Sequence, residues 1–247
     1  MATLVAIPVY NEEKYLAEVL RQTLVHPVDV LVVDDGSTDK TPEVLRQFSN
    51  IEVIRQEPNR GYGAALRTAF KHGCDRGYDL VITMDSDGQH EPSLIPAFER
   101  ASDDADIVSG SRYLSHFSVD TPAPADRRRI NSLVTDELNA CFGLGITDSF
   151  CGFKAYRTEA LLQLQLREDG YAMPLELWVQ AACRKLRIRE IAVPRVYLDP
   201  KRSFGETLDI ASTRLAYYQE VIDRAVAVAR QNSECGMKDS QSPIFQR

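Results

Sequence analysis

Short apolar runs alternate with helix-like segments over the first 112 residues, and this alternation is the feature that most constrains the fold. The apolar runs that resemble buried parallel strands lie at residues 4–9, 28–33, 51–55, 80–84 and 106–110. The helical patterns between them lie at residues 12–24, 42–48, 63–76 and 92–101. Strands separated by helices at this spacing are joined by right-handed crossovers. We therefore predict an α/β fold whose mainly parallel central sheet is covered by helices on both faces.

The pattern changes in the second half of the chain. Residues 121–125 (TPAPA) predict a loop, which a basic helix start at residues 126–129 follows. The remaining elements are a polar strand-like piece, two helices, a strand and a long helix, at residues 147–156, 158–164, 174–185, 188–197 and 207–231. We predict one domain over residues 1–231 and a flexible polar tail at 232–247.

Composition excludes several classes of protein. A formal net charge of -7 over 247 residues argues against a general nucleic-acid binder, which would present a basic face. No apolar segment approaches the roughly 18 to 20 residues that span a bilayer. The first residues lack the basic stretch of a signal peptide, and five cysteines without a CxxC pair favour reduced thiols. These features predict a cytoplasmic protein.

Polar side chains follow four of the five predicted strands of the first half. Ligands of an open parallel sheet bind at the carboxyl ends of its strands, so these residues should lie along one edge. The polar segments at that edge are residues 8–12 (PVYNE), 34–39 (DDGSTD), 85–89 (DSDGQ) and 111–113 (SRY). We predict a binding site there.

Asp85 and Asp87 come directly after the fourth apolar run. Two carboxylates so close together repel each other unless a cation neutralises them. Oxygen ligands select hard ions, and Mg²⁺ or Mn²⁺ commonly shares its ligand shell with substrate phosphates. The pair therefore predicts a divalent ion bridging to a diphosphate, with Gln89 as a further oxygen donor. The chain has neither a GxxxxGK[ST] loop nor a GxGxxG fingerprint. The glycines of residues 60–64 (RGYGA) fit either a tight turn or a contact with a nucleotide.

Five segments together resemble family 2 glycosyltransferases of the GT-A fold. They are IPVYNE (residues 7–12), VVDDGSTD (32–39), NRGYGAALRTAF (59–70), MDSDGQH (84–90) and GSRY (110–113), in the order and spacing of that family. The resemblance implies a Rossmann-like αβα sandwich that binds a nucleotide-sugar, of the GDP-mannose or UDP-glucose type, in residues 1–112. It implies an acceptor-binding half at residues 113–231. The residues that it places on the nucleotide-sugar are Pro8, Tyr10, Glu12, Asp35 and Asp85, and those that it places on the metal are Asp87 and Gln89.

Within the family, the chain is most similar to polyprenyl-phosphate sugar synthases of the dolichyl-phosphate mannose synthase type. The resemblance implies that Arg112, Arg129 and Arg202 hold the phosphate of a lipid acceptor. Residues 148–154 (DSFCGFK) resemble the D-x-x-SGF-[RK] segment, with Cys151 in place of serine. The enzyme would then be a metal-dependent, inverting transferase, with Asp87 and Arg112 as catalytic residues. Any membrane contact would be peripheral, through the amphipathic helix of residues 207–229.

Other functions stay open at this point. A soluble hydroxyl acceptor would need a general base, for which Glu176 and Asp148 are the candidates. The G-x-SK loop of the lipid-phosphate synthases is absent, which favours this alternative; residues 202–206 (RSFGE) stand in its place. A nucleotide-binding protein without transferase activity is a further alternative. A nucleotidyltransferase fits less well, because residues 8–12 are acidic where such enzymes have a basic glycine-rich loop.

Overall fold

The computed structural model describes residues 1–198 and 206–231, and the predicted acceptor ligand Arg202 lies outside them. The strands are Thr3–Val9 (β1), Asp29–Asp34 (β2), Glu52–Arg55 (β3), Leu80–Thr83 (β4), Ile107–Ser111 (β5), Lys154–Arg157 (β6) and Ile188–Ala192 (β7). The helices are Leu16–Thr23 (α1), Thr41–Leu45 (α2), Tyr62–Asp75 (α3), Ile95–Ala101 (α4), Ala125–Phe142 (α5), Thr158–Leu161 (α6), Met173–Cys183 (α7) and Ala211–Gln231 (α8).

The seven strands form one sheet in the order β3-β2-β1-β4-β6-β5-β7. Strand β6 runs antiparallel to β4 and β5, while the other pairings are parallel. This arrangement confirms the predicted α/β fold with a mainly parallel sheet. Because β6 comes from the second half of the chain and lies between two strands of the first, both halves contribute to the same sheet.

Alternate residues of the central strands pack into two separate hydrophobic clusters. In β1, Leu4 and Ala6 join the cluster formed with α3, α5, α7 and α8. Val5 and Ile7 join the other cluster, formed with α1, α2 and α4. Successive side chains of a strand point to opposite faces, so a strand buried on both faces has a continuous apolar sequence. This explains why the runs of the first half contain so few polar residues.

Several predicted element boundaries differ from those of the structure. The strand predicted at residues 147–156 begins only at Lys154, because the Glu190 carboxylate binds the backbone N–H groups of Thr147 and Asp148. The helix predicted from residue 12 begins at Leu16, after a turn in which Asn11 has a φ of 56°. The last predicted strand ends at Ala192 rather than at residue 197.

The long C-terminal helix packs on the protein interior. Its buried face includes Tyr218, Val221, Ile222 and Ala225, which join the cluster on the α7 side of the sheet. Within the described part of the chain, no helix combines the length and the apolar character needed to cross a membrane.

The cysteines differ in state. Cys74, Cys141 and Cys151 are free thiols, whereas Cys183 is disulfide-bonded. The prediction of reduced thiols throughout is therefore wrong for Cys183.

Candidate active site

A cavity of about 750 Å³ opens at the carboxyl ends of β1, β2, β4 and β5. The amino-terminal ends of α3, α5 and α8 close its other sides. The cavity brings together all of the predicted nucleotide-sugar and metal residues and one predicted acceptor residue: Pro8, Tyr10, Glu12, Asp35, Asp85, Asp87, Gln89 and Arg112. The sheet edge predicted from the sequence thus lines one continuous cavity.

The acidic end of the cavity is built by the turn that follows β4. Gly88, with a φ of 75°, turns the chain so that Gln89 bonds back to Asp87. The backbone N–H of Gln89 donates to Oδ1 of Asp87 at 3.1 Å, and its side-chain Nε2 donates to Oδ2 at 2.8 Å. The hydroxyl of Tyr62 donates to Oδ1 of Asp85 at 3.1 Å. Both carboxylates are therefore held in fixed orientations at the cavity wall.

The oxygen donors at this end fit a divalent ion that shares its shell with phosphate. Asp85, Asp87 and Gln89 offer only carboxylate and amide oxygens. Residues 1–198 and 206–231 contain no group of three or more His, Cys, Asp or Glu side chains that could hold a metal. Mg²⁺ typically uses one or two carboxylates together with substrate phosphates, which matches this donor set.

His90 lies directly behind Asp85. Its Nδ1 accepts a hydrogen bond of 3.0 Å from the backbone N–H of Asp85. The other ring nitrogen, Nε2, lies 3.8 Å from Oδ2 of Asp85. The ring stacks on Phe153 at a centroid distance of 5.3 Å. His90 therefore supports Asp85 from the protein side.

Asp35 anchors the segment that begins α3. Its two oxygens accept hydrogen bonds from the backbone N–H groups of Arg60 and Gly61, at 2.9 and 2.7 Å. Burial raises the pKa of Asp35 above its usual value, and these two hydrogen bonds oppose that rise. Asp35 thus lines the cavity and also fixes the chain that forms its rim.

The glycines of the RGYG segment allow a second loop to approach. A Cβ added to Gly61 would lie 2.4 Å from the carbonyl oxygen of Asp169, and one added to Gly63 would lie 2.4 Å from that of Glu168. Gly61 also has a φ of 104°, in the region that favours glycine. The structure thus gives these glycines a packing role against the loop that covers α3.

Arg112 and Asp148 form a buried ion pair at the basic end of the cavity. Nε and NH2 of Arg112 donate to the two carboxylate oxygens at 2.6 and 2.9 Å, and Nδ2 of Asn131 donates at 2.7 Å. Burial alone would raise the pKa of Asp148, but the attraction of Arg112 and these hydrogen bonds lower it to about 2. Asp148 is therefore ionised at neutral pH and poorly suited to accept a proton as a general base.

Of the arginines at the start of α5, Arg127 and not Arg129 reaches the cavity. Arg127 lines it together with Ile130 and Asn131, which lie three and four residues further along the same helical face. Arg129 is exposed, and Arg128 lies over the ring of Tyr113 at 3.8 Å. The structure therefore brings a different member of the predicted arginine cluster to the site.

The predicted catalytic residue Glu176 lies outside the set of residues that line the cavity. Its Oε2 accepts hydrogen bonds from the backbone N–H groups of Arg167 and Glu168, both at 2.8 Å. The side chain is buried, and it fixes the loop that packs on Gly61 and Gly63. Glu176 therefore fixes a loop next to the cavity and does not line the cavity itself.

Several cavity residues were missed in the sequence, among them Tyr62, Arg214 and Tyr218. Tyr62 bonds Asp85, and Arg214 and Tyr218 of α8 line the basic end. A signal for Arg214 was present, because it precedes the buried Tyr218 by four residues and Val221 by seven. A charged residue on the apolar face of an amphipathic helix is unusual enough to mark a functional position.

Sequence comparison identifies the family of this chain. The profile described as Glycosyl transferase family 2 matches residues 4–164. The chain belongs to glycosyl transferase family 2, and the protein is a glycosyltransferase.

Curated relatives agree with the resemblance to polyprenyl-phosphate sugar synthases. An undecaprenyl-phosphate mannosyltransferase of Micrococcus luteus is 31% identical over 216 residues, which cover 84% of this chain and 87% of the relative. A polyprenol monophosphomannose synthase of Mycolicibacterium smegmatis is 31% identical over 204 residues, covering 77% and 76%. A UDP-N-acetylglucosamine–dolichyl-phosphate N-acetylglucosaminyltransferase of Methanococcus voltae is 29% identical over 228 residues, covering 83% and 89%.

Solved structures of glycosyltransferases share the fold. A glucosyl-3-phosphoglycerate synthase of Mycobacterium tuberculosis, in complex with Mn²⁺, UDP and phosphoglyceric acid, superposes with a TM-score of 0.65 at 20% identity. The match covers 97% of this chain and 80% of that one. A mannosyl-3-phosphoglycerate synthase of Rubrobacter xylanophilus gives a TM-score of 0.67 at 16% identity, covering 100% and 80%. The predicted GT-A fold is confirmed.

Proposed function

We propose that this glycosyltransferase moves a sugar, with inversion, from a nucleoside-diphosphate sugar to a polyprenyl phosphate. The observation that carries the proposal is that one cavity is lined both by carboxylates, Asp85 and Asp87, and by arginines, Arg112 and Arg127. The names of three curated relatives, each of which describes a polyprenyl-phosphate or dolichyl-phosphate sugar transferase, support the same acceptor class.

The acidic end is proposed to bind the donor. Asp87 and Gln89, with Asp85 alongside, would hold Mg²⁺ or Mn²⁺, and Pro8, Tyr10, Glu12 and Asp35 would contact the nucleotide. The chemistry that such an ion supplies is electrostatic stabilisation of the diphosphate as it departs. Tyr62 contributes by donating a hydrogen bond to the Asp85 carboxylate, and His90 by accepting one from the backbone N–H of Asp85.

The basic end is proposed to bind the acceptor phosphate. A phosphate oxygen is already anionic at neutral pH, so its attack on the anomeric carbon requires cations to position it and no general base. Arg112 is held by Asp148 with its guanidinium at the cavity wall, and Arg127 faces the same space. Glu176 and Asp148, the two candidate bases for a hydroxyl acceptor, are both engaged in holding other groups.

Contact with the membrane is proposed to be peripheral and on the cytoplasmic side. The segment that joins β5 to α5 connects Arg112 to Arg127 and exposes the apolar side chains of Leu114 and Val119. Arg128 and Arg129 follow it and are exposed. Apolar side chains next to arginines suit the surface of an anionic bilayer, from which a lipid phosphate would be drawn.

A transfer assay tests the proposal. Purified protein is incubated with undecaprenyl phosphate and, in separate reactions, UDP-glucose, UDP-N-acetylglucosamine or GDP-mannose, each with Mn²⁺ or with EDTA. The glycolipid product is detected by mass spectrometry. We expect product with one donor class, dependent on the metal and lost in Asp87→Ala. Binding of a nucleotide without product from any donor would contradict the proposed acceptor.

A further inference from the structure

Arg214 is a buried cation whose position the donor and acceptor sites described so far do not explain. It lies in the first turn of α8, its side chain is only 3% exposed, and it lines the basic end of the cavity. Burying a guanidinium is costly unless partners compensate for the lost water. A cation kept at such a position next to a cavity is a candidate ligand for an anion.

Hydrogen bonds to Asp126 and Leu208 help to fix the guanidinium in place. NH2 donates to Oδ2 of Asp126 at 2.6 Å, and NH1 donates to the backbone carbonyl of Leu208 at 2.8 Å. The Asp126 side chain is 46% exposed, so water screens the carboxylate while the guanidinium stays desolvated. The arrangement orients Arg214 without removing its charge from the cavity.

Arg127 and Arg214 act on the same part of the cavity. Burial raises the pKa of Tyr218 to about 12, and the positive charges of Arg214 and Arg127 oppose that rise. Tyr218 lines the same cavity. Arg127, Arg214 and Tyr218 therefore line one cavity, and the charges of both arginines act on the Tyr218 hydroxyl.

We propose that Arg214 is a third binding residue for the acceptor phosphate, beside Arg112 and Arg127; this inference rests on the proposed function. Asp148, which pairs with Arg112, is fully buried, whereas water screens the Asp126 carboxylate that pairs with Arg214, so Arg214 adds to the attraction for a phosphate dianion. Without Arg214, the carboxylate of Asp126 would face the bound phosphate with its partner gone. Planar guanidinium groups suit such a ligand, because each can donate two parallel hydrogen bonds to it.

Two variants that break the same ion pair separate this role from a structural one. Arg214→Gln and Asp126→Asn both remove the link between α8 and α5. If Arg214 serves only to join these helices, the two variants should behave alike. If it binds phosphate, they should act in different directions on acceptor affinity, because one removes a cation and the other removes a competing anion.

The experiment is a calorimetric titration of the full chain with farnesyl phosphate, a short prenyl phosphate, with farnesol and UDP or GDP as comparison ligands. We expect Arg214→Gln to weaken farnesyl phosphate binding about tenfold or more, as for a lost hydrogen bond to a charged group. Asp126→Asn should bind it at least as tightly as the wild type, and nucleotide affinity should stay unchanged in both. Arg214→Lys serves as a second variant if Arg214→Gln does not fold, and should show a smaller loss.

The outcomes separate the two proposals. Equal weakening in Arg214→Gln and Asp126→Asn, or no weakening in Arg214→Gln, would overturn the role of Arg214 while leaving the acceptor class intact. A wild-type protein that binds nucleotide but not farnesyl phosphate would overturn the acceptor class itself, and the role of Arg214 with it.

Discussion

The backbone of Gly152 packs directly against the carboxylate of Asp85. A Cβ added at Gly152 would lie 2.6 Å from Oδ2 and 2.7 Å from Oδ1 of that side chain. Residue 152 belongs to the segment that precedes β6, and the carbonyl oxygen of Gly152 accepts a hydrogen bond of 2.7 Å from the hydroxyl of Thr83. The antiparallel strand from the second half of the chain thus sets how far the Asp85 carboxylate can move.

Gly152→Ala should therefore impair the acidic end of the site while the fold survives. The added methyl group must push Asp85 aside, and a displacement of about 1 Å at a reacting centre can cost about 100-fold in rate. We expect kcat to fall by that order and the metal concentration for half-maximal activity to rise. Cys151→Ser, a change of similar size at the neighbouring buried position, is the control and should keep near wild-type activity. Unchanged metal dependence in Gly152→Ala would contradict the expectation.

Tyr62→Phe removes only the hydroxyl that holds Asp85. The ring should keep its stacking on Tyr171, whose centroid is 5.7 Å away, so thermal stability should change little. A hydrogen bond to a charged group contributes about 1.5 to 3 kcal/mol, which corresponds to a loss of about tenfold or more in kcat/KM. Tyr78→Phe is the matched control, because its hydroxyl bonds the carboxylate of Asp29 away from the cavity. Equal activity in the two variants would show that Tyr62 does not position Asp85.

Two substitutions of Glu176 distinguish a general base from a residue that holds a loop in place. In Glu176→Gln the side-chain carbonyl can still accept the backbone N–H groups of Arg167 and Glu168, so we expect activity within a few-fold of the wild type. Glu176→Ala should lower both stability and activity because it releases that loop. A general base would instead be worth about 100- to 10,000-fold in both variants. Steady-state kinetics with thermal denaturation distinguishes the two patterns.

The ion pair between Arg112 and Asp148 predicts how stability depends on pH. The pKa of Asp148 is about 2 in the folded protein against an ordinary 3.8, so the ionised carboxylate favours the folded state. This stabilisation is complete above the ordinary pKa and is lost as the pH falls towards 2. Asp148→Asn leaves Arg112 without its buried partner and should cost about 3 to 5 kcal/mol at neutral pH.

Urea denaturation of the wild type and Asp148→Asn over a range of pH measures this difference. The difference in unfolding free energy between the wild type and Asp148→Asn should be constant from neutral pH down to about pH 4.5. It should become smaller below that pH. Asp106→Asn, at a more exposed ion pair with Arg187, is a control that should cost much less. A gap that widens on acidification would have the wrong sign for a lowered pKa.

The sequence predicted the sheet and the residues that meet at its cavity-lining edge because both depend on local patterns. Apolar runs marked the strands on either side of residues 34–35 and 85–87, and parallel strands necessarily bring their carboxyl ends together. Helical periodicity also indicates which of Arg127 and Arg129 faces the protein interior. Arg127 shares a face with the buried Ile130 and Asn131, whereas Arg129 shares one with the exposed Leu133.

Other features depend on contacts between distant segments, which periodicity does not encode. Glu176 resembles a carboxylate at a helix start, and only the folded loop shows that it binds the N–H groups of Arg167 and Glu168. The hydroxyl of Tyr62 reaches Asp85 across 23 positions of sequence. The antiparallel entry of β6 between β4 and β5 likewise follows from tertiary packing.

The central claim is that the basic end of the cavity selects an anionic acceptor and that no general base is needed. The most direct measurement compares kcat/KM for citronellyl phosphate and for citronellol, with the donor that the transfer assay identifies and Mn²⁺ in excess. We expect transfer to the phosphate and none to the alcohol, with the phosphate reaction suppressed in Arg127→Ala. Transfer to citronellol or to a soluble hydroxyl acceptor such as 3-phosphoglycerate at a comparable kcat/KM would contradict the claim.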